Sequence, residues 1–186
     1  MNAHGTPISA LCRAFHNVPS HPPTLTDAHL AFLWHRIREQ GLDRFLFYDG
    51  GVNSLARFHD IVTAESVWAY AGFSHTTGEP LALALLDRFL GRTAYLHFTF
   101  FKGEGFARHL EIGRAFMGLI FENGTLSCLM ALTPAAFRHS WKFGLDLGFT
   151  RLGTIPGACG VLDRKTGTIR YRDGMLMKLD NPKPQP

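Results

Sequence analysis

The richest run of chemistry-bearing residues in this 186-residue chain is Thr93 to Phe116, TAYLHFTFFKGEGFARHLEIGRAF. It predicts a strand, a tight loop bearing Gly103 and Gly105, and a helix beginning near Ala107. The glycines let the backbone approach a ligand closely, and the first-turn amides of the helix are unpaired donors at a positive dipole end. A phosphate or pyrophosphate suits that arrangement. Lys102 and Arg108 could reinforce it, and Glu104 opposes it unless its side chain turns away. His97, in the strand, is the best candidate general base, because histidine is the side chain that changes charge near neutral pH. Tyr95, two residues back, shares its face. A hydrogen-bonded core histidine in an aromatic strand is the competing reading. Glu65 and Asp60 are secondary candidates with no spacing argument behind them.

Other chemistries lack their signatures. GxxxxGK[ST] is absent, and KGEGFA lacks the third glycine of a dinucleotide fingerprint and lies far from an N-terminal βαβ unit. No GxSxG elbow frames Ser127 or Ser140. His29 and His35 are six apart, on different faces of a helix, and HExxH is missing, so no metal site is expected. Cys12, Cys128 and Cys159 are odd in number and widely spaced, which argues against a disulfide framework or a CxxC site and for buried or incidental thiols. The charge, 19 Lys+Arg against 15 Asp+Glu for a net +4, is spread along the chain. No basic run marks a nucleic-acid surface. Phe98-Thr99-Phe100-Phe101 reads as sheet core and cleft wall, not as a base-stacking platform.

The elements around this segment follow from periodicity. Residues 1–23, with Pro7, Pro19, Pro22 and Pro23, read as an N-terminal arm, and 24–186 as a single domain. Leu30, Leu33, Trp34 and Ile37 predict a helix capped by Thr26, stapled by Leu25 and Leu30, and ended by Gly41. Ser54 or Asn53 caps a second, with Leu55, Phe58, Ile61 and Val62 inward. Val67 to Ser74, Leu81 to Leu86 and Arg92 to Phe100 predict three antiparallel strands. Ala107 to Phe121 is a helix, Leu126 to Leu132 a buried strand, and Thr133-Pro134 the start of a helix with Phe137, Trp141 and Leu145 inward. Thr150 to Ile155 and Met175 to Leu179 are strands, with a turn at Asp163 to Gly167. This order predicts an α/β fold: a mixed, mostly antiparallel central sheet with helices on both faces. With 46% hydrophobic and 18% charged residues the chain has ample apolar mass for a core. No run approaches the roughly 20 apolar residues of a membrane span, and Met1–Ala14 has no signal layout, so a soluble cytoplasmic protein with no membrane partner is expected.

Lys102-Gly103-Glu104-Gly105-Phe106-Ala107 resembles the Gln/Arg-x-x-Gly-x-Gly/Ala loop of the GNAT N-acetyltransferase superfamily, with Lys in the first place. Leu132-Thr133-Pro134, followed by a helix ending in Leu147-Gly148-Phe149, is similar to that superfamily's fifth strand, fourth helix and lead into the sixth strand. The resemblance runs from about Thr26 to Asp180. It implies acetyl-CoA as co-substrate, its pantetheine arm on backbone groups near Leu96, His97 and Phe98, and its pyrophosphate on the amides of Gly103, Glu104, Gly105, Phe106 and Ala107. It implies direct transfer of the acetyl group to an amine of a small molecule or protein, and is compatible with a homodimer. Two departures stand out. Phe137 and Gly144 occupy the places where many members carry a cofactor-binding Asn and a Tyr acid; Ser140 and His139 are the substitutes at hand. The acceptor pocket would be walled by Phe45 to Val52 and by the final strands, and Phe45, Phe47, Tyr48 and Asp49 suggest an apolar pocket with one acidic group for an amine. The alternative is a catalytically degenerate GNAT-fold binding or assembly protein, of the kind some phages encode.

Overall fold

The computed structural model describes residues 11–122 and 124–182. Seven strands form one sheet, β1 (Leu11–His16), β2 (Trp68–Ser74), β3 (Pro80–Leu90), β4 (Thr93–Phe100), β5 (Cys128–Pro134), β6 (Thr150–Asp163) and β7 (Thr168–Asp180), in the spatial order β1-β2-β3-β4-β5-β7-β6. All neighbours are antiparallel except β4 and β5. The helices are α1 (Asp27–Glu39), α2 (Asp43–Leu46), α3 (Leu55–Thr63), α4 (Glu104–Ala107), α5 (His109–Glu122) and α6 (Arg138–Asp146).

Each sheet face carries its own core. Leu30, Leu33 and Ile37 of α1 and Phe58 and Val62 of α3 pack on Leu83 and Leu85 of β3. Ile112, Phe116 and Ile120 of α5 pack on Ala82, Leu86, Ala94 and Leu96 on the opposite face. Burial on both sides explains why β2 and β3 read as solid apolar runs and not as alternating ones. Mixed pairing with helices on both faces is the architecture expected from the element order. Among the described residues no helix is long and apolar enough to cross a membrane.

The α1 start forms as expected, with one refinement: Thr26 Oγ1 accepts the His29 amide while His29 Nδ1 accepts the Thr26 amide, a capping box in which histidine takes the usual glutamate place. Ser54 caps α3 by accepting the Arg57 amide.

Four expectations need correction. Within the expected arm, Leu11–His16 pair with β2 as an edge strand, and residues 1–10 lie outside the described residues. The helix expected over 107–121 forms as α5, and a separate short helix, α4, stands before it where only a loop was expected. Thr133 and Pro134 do not start a helix but stay in β5, opposite Met175 and Gly174, and α6 begins at Arg138. Sheet pairing outweighs the local capping signal there. Finally, α6 turns Gly144 inward, against Met177, and leaves Leu145 exposed. Of the cysteines, Cys159 is buried and Cys128 half-buried; the Cys12 side chain lies outside the described ones.

Candidate active site

The only parallel pair among the described strands is also the shortest. β4 and β5 are in register at Thr93↔Cys128, Ala94↔Leu129 and Tyr95↔Met130, and there the pairing stops, although β4 continues to Phe100 and β5 to Pro134. Beyond Tyr95 the strands diverge, and the β4 edge from Leu96 onward loses its partner while its other edge stays paired with β3 as far as Phe100. A backbone edge needs partners for its N–H and C=O groups. A cavity of about 570 Å³ opens in this wedge, lined by Leu96 to Phe100 of β4, Ala131 to Thr133 of β5, Leu42, Phe45 and Tyr48 from the α2 region, and His139, Ser140 and Phe143 of α6.

Strand alternation gives the wedge two different sides. Leu96, Phe98 and Phe100 point toward α5 and α6, where Phe98 and Phe100 meet Phe116 and Phe143. His97 points the other way and joins a polar cluster. Its Nε2 lies 3.1 Å from Asp87 Oδ1 and 3.0 Å from Arg88 Nη2. One nitrogen cannot serve both: with a proton it donates to Asp87, without one it accepts from Arg88. Burial works against ionised Asp87, but the hydrogen bond from His97 and the charges of His97 and Arg88 outweigh it, so the carboxyl lies below its ordinary value. Arg88 sits at an irregularity in the β3–β4 register with φ of 46°, its guanidinium 4.3 Å above the Tyr95 ring. Tyr95 thus supports Arg88 and is absent from the cavity wall. Neither Asp87 nor Arg88 stood out in the sequence. A carboxylate closing the apolar run LALALLD was the available signal; the backbone turn at Arg88 has none.

The glycine loop does several things at once. Gly103 has φ of 85°, which glycine tolerates best. Gly105 is buried, and a Cβ there would lie 2.3 Å from the Leu81 carbonyl oxygen, so its smallness lets α4 rest on β3. The amides of Glu104, Gly105 and Phe106 are first-turn donors with no carbonyl in their own helix to receive them. The Ala107 amide, in contrast, donates to Gly103 O at 2.9 Å and is spent within the turn. Arg108 is also engaged: it makes two contacts with Glu111, at 2.8 and 2.6 Å, and one with Glu104 at 2.9 Å. These carboxylates raise the Arg108 pKa, and Arg108 holds Glu111 below its ordinary value. Glu104, which also accepts from Ser74 at 2.9 Å, is therefore turned away and neutralised. Of the two cations expected beside the loop, Lys102 is the one in the cavity wall, with its amide anchored to Gln40 Oε1 at 2.6 Å.

Other expected residues divide. Ser140 and His139 line the cavity. Phe137 packs edge-on to Phe45 and Tyr48, and Gly144 is held against Met177, so packing occupies both departure positions. Asp49 is not the pocket's acidic group: it accepts the Gly51 amide at 3.0 Å, and Phe47 packs on Phe58 instead. Asp60 is exposed on α3 facing Arg57, and Glu65 is exposed beyond it. Burial holds the Tyr48 hydroxyl, which donates to Cys159 Sγ at 3.7 Å, protonated far above neutrality. Among the described residues no three His, Cys, Asp or Glu side chains converge on a metal-sized site.

No family model matches this sequence, and no curated protein matches it. Solved structures do. A spermidine N-acetyltransferase from Vibrio cholerae, in complex with CoA and spermine, is similar over 94% of this chain and 98% of its own, with a TM-score of 0.69 at 14% identity. An N-acetyltransferase from Staphylococcus aureus Mu50 is similar over 93% and 99%, with a TM-score of 0.67 at 14% identity. A ribosomal-protein-S5-alanine acetyltransferase from Vibrio fischeri is similar over 86% and 92%, with a TM-score of 0.62 at 13% identity. Near-complete coverage in both directions, together with the β4/β5 wedge and the glycine loop, shows that this chain is built on the GNAT N-acetyltransferase fold.

Proposed function

We propose that the protein is an N-acyltransferase that moves an acetyl group from acetyl-CoA directly to an amine of a small molecule or protein. The observation that carries this reading is the wedge: β4 leaves β5 after Tyr95, so a free strand edge faces a cavity of about 570 Å³. A pantetheine arm has amide groups of the right kind to pair with such an edge, at Leu96 to Phe98. The first-turn amides of Glu104, Gly105 and Phe106 supply donors for a pyrophosphate, and the Lys102 ammonium supplies charge. That one solved neighbour holds CoA agrees with this assignment.

In the reaction the amine nitrogen forms a bond to the thioester carbonyl carbon, the C–S bond breaks, and the thiolate leaves with a proton. His97 takes the proton the amine loses. Ionised Asp87, 3.1 Å from its Nε2, stabilises the imidazolium that results. Ser140 or His139, both in the cavity wall, protonates the leaving thiolate in place of the missing tyrosine.

The test is thermal unfolding with and without acetyl-CoA, backed by calorimetric titration. Ligand at about 100 times its dissociation constant adds roughly 2.7 kcal/mol, which raises Tm by roughly 5–10 °C for a domain of this size. Lys102→Glu, an exposed change, shrinks the shift while leaving the unliganded Tm in place. No shift and no heat of binding would overturn the reading.

A further inference from the structure

We infer that the acceptor is an arylalkylamine, an aromatic body with a single amine, and not a polyamine; this rests on the acyltransferase reading above. The side of the wedge that His97 faces is walled by rings. Phe45, Tyr48 and His139 line the cavity, and Phe137 stands behind them with ring centroids 5.5, 6.0 and 6.3 Å from the three in turn. The mostly edge-to-face contacts among these rings leave aromatic surface available to a flat guest.

Most of the carboxylates on this side are held by the protein itself. Asp43 is nearly inaccessible and accepts from Arg38 at 2.5 Å and Arg164 at 2.8 Å. Asp49 accepts the Gly51 amide, and Asp87 is held by His97 and Arg88. Asp146, the only carboxylate among the described residues of the cavity wall, is exposed on α6, one turn after Lys142 of the same wall. Cations border the rings instead. The Arg44 guanidinium lies 5.0 Å from the Phe45 ring, and Arg88 stacks on Tyr95. A guest with several ammonium groups would meet these cations with a single carboxylate of the described cavity wall, Asp146, to pair with. One with a single amine, deprotonated beside His97, has the rings of Phe45, Tyr48 and His139 for its aromatic body.

The experiment measures CoA thiol release by the purified full chain with acetyl-CoA and either phenethylamine or spermidine. Phenethylamine is expected to give a kcat/KM at least about tenfold above that of spermidine. Phe45→Leu, which keeps apolar bulk but removes the ring, is expected to raise the KM for phenethylamine roughly tenfold while acetyl-CoA binds with unchanged affinity. Spermidine turned over equally or faster, or a KM indifferent to Phe45→Leu, would overturn the assignment. So would calorimetric binding of acetyl-CoA with no turnover of phenethylamine, which leaves the cofactor reading standing. Absence of acetyl-CoA binding would remove both.

Discussion

Two glycines two residues apart make different demands at the residue scale. Gly103 needs a backbone conformation that side chains resist, whereas Gly105 needs the absence of a Cβ. The Leu81 carbonyl that a Cβ at 105 would strike already accepts the Phe101 amide at 3.0 Å, so it is not free to withdraw. Gly105→Ala should therefore cost about 1–3 kcal/mol, seen as a lower urea midpoint with an unchanged m-value. In the proposed reaction His97 takes the amine proton and Asp87 supports it. His97→Gln should lower kcat by roughly 10²–10⁴ with little change in the acetyl-CoA dissociation constant. Asp87 has a second, thermodynamic signature. Its folded-state pKa lies below the unfolded value of about 3.9, so it contributes stability above that value and loses it as pH falls through the lowered one. Asp87→Asn should accordingly flatten the acid limb of the stability profile below about pH 4, measured by urea unfolding across pH.

The joint between α4 and α5 shows at the element scale how local sequence and tertiary contact divide the work. The apolar spacing over 107–121 marks α5 to within two residues, whereas the separate turn of α4 before it was not legible. It arises because α4 must lie against Leu81 of β3 while α5 packs on the sheet through Ile112 and Phe116. Arg108 spans the break, tying Glu104 on one side to Glu111 on the other, and Ser74 of β2 fixes Glu104 from the strand. The carboxylates are partly exposed, so solvent screens the pair. Arg108→Gln should cost only about 1 kcal/mol in stability. Its larger effect should be on the loop, as a several-fold weaker acetyl-CoA affinity in calorimetric titration. An unchanged affinity would mean that the loop holds its shape without the clamp.

For the molecule as a whole, stability should be uneven. β2 and β3 are buried on both faces between the two cores, whereas the far end of the β6–β7 hairpin, past the Pro134↔Gly174 pair, is a two-stranded extension with exposed Ile169 and Tyr171. Hydrogen exchange should find the slowest amides in β3 and faster exchange from Lys165 to Tyr171, beyond the Leu162 amide that donates to the Tyr48 carbonyl at 2.8 Å. Comparable protection in both places would show that the extension is covered in solution.

The apolar periodicity, caps and turns of the sequence by themselves determined α1, α3, α5, the strands β2 to β5, the mixed sheet and the glycine loop, because those signals act over a few residues. The His97 position was legible too, since alternation sets its face. Only the tertiary structure decided that β4 and β5 part after Tyr95, that Asp87 and Arg88 meet His97, and that Arg108 is bound by carboxylates. It also decided that Thr133 and Pro134 remain strand and that Asp49 turns to its own loop. Most of these outcomes join residues distant in the chain, and in each sheet pairing, core burial or a charge partner overrides or completes the local preference, which no short window of sequence contains.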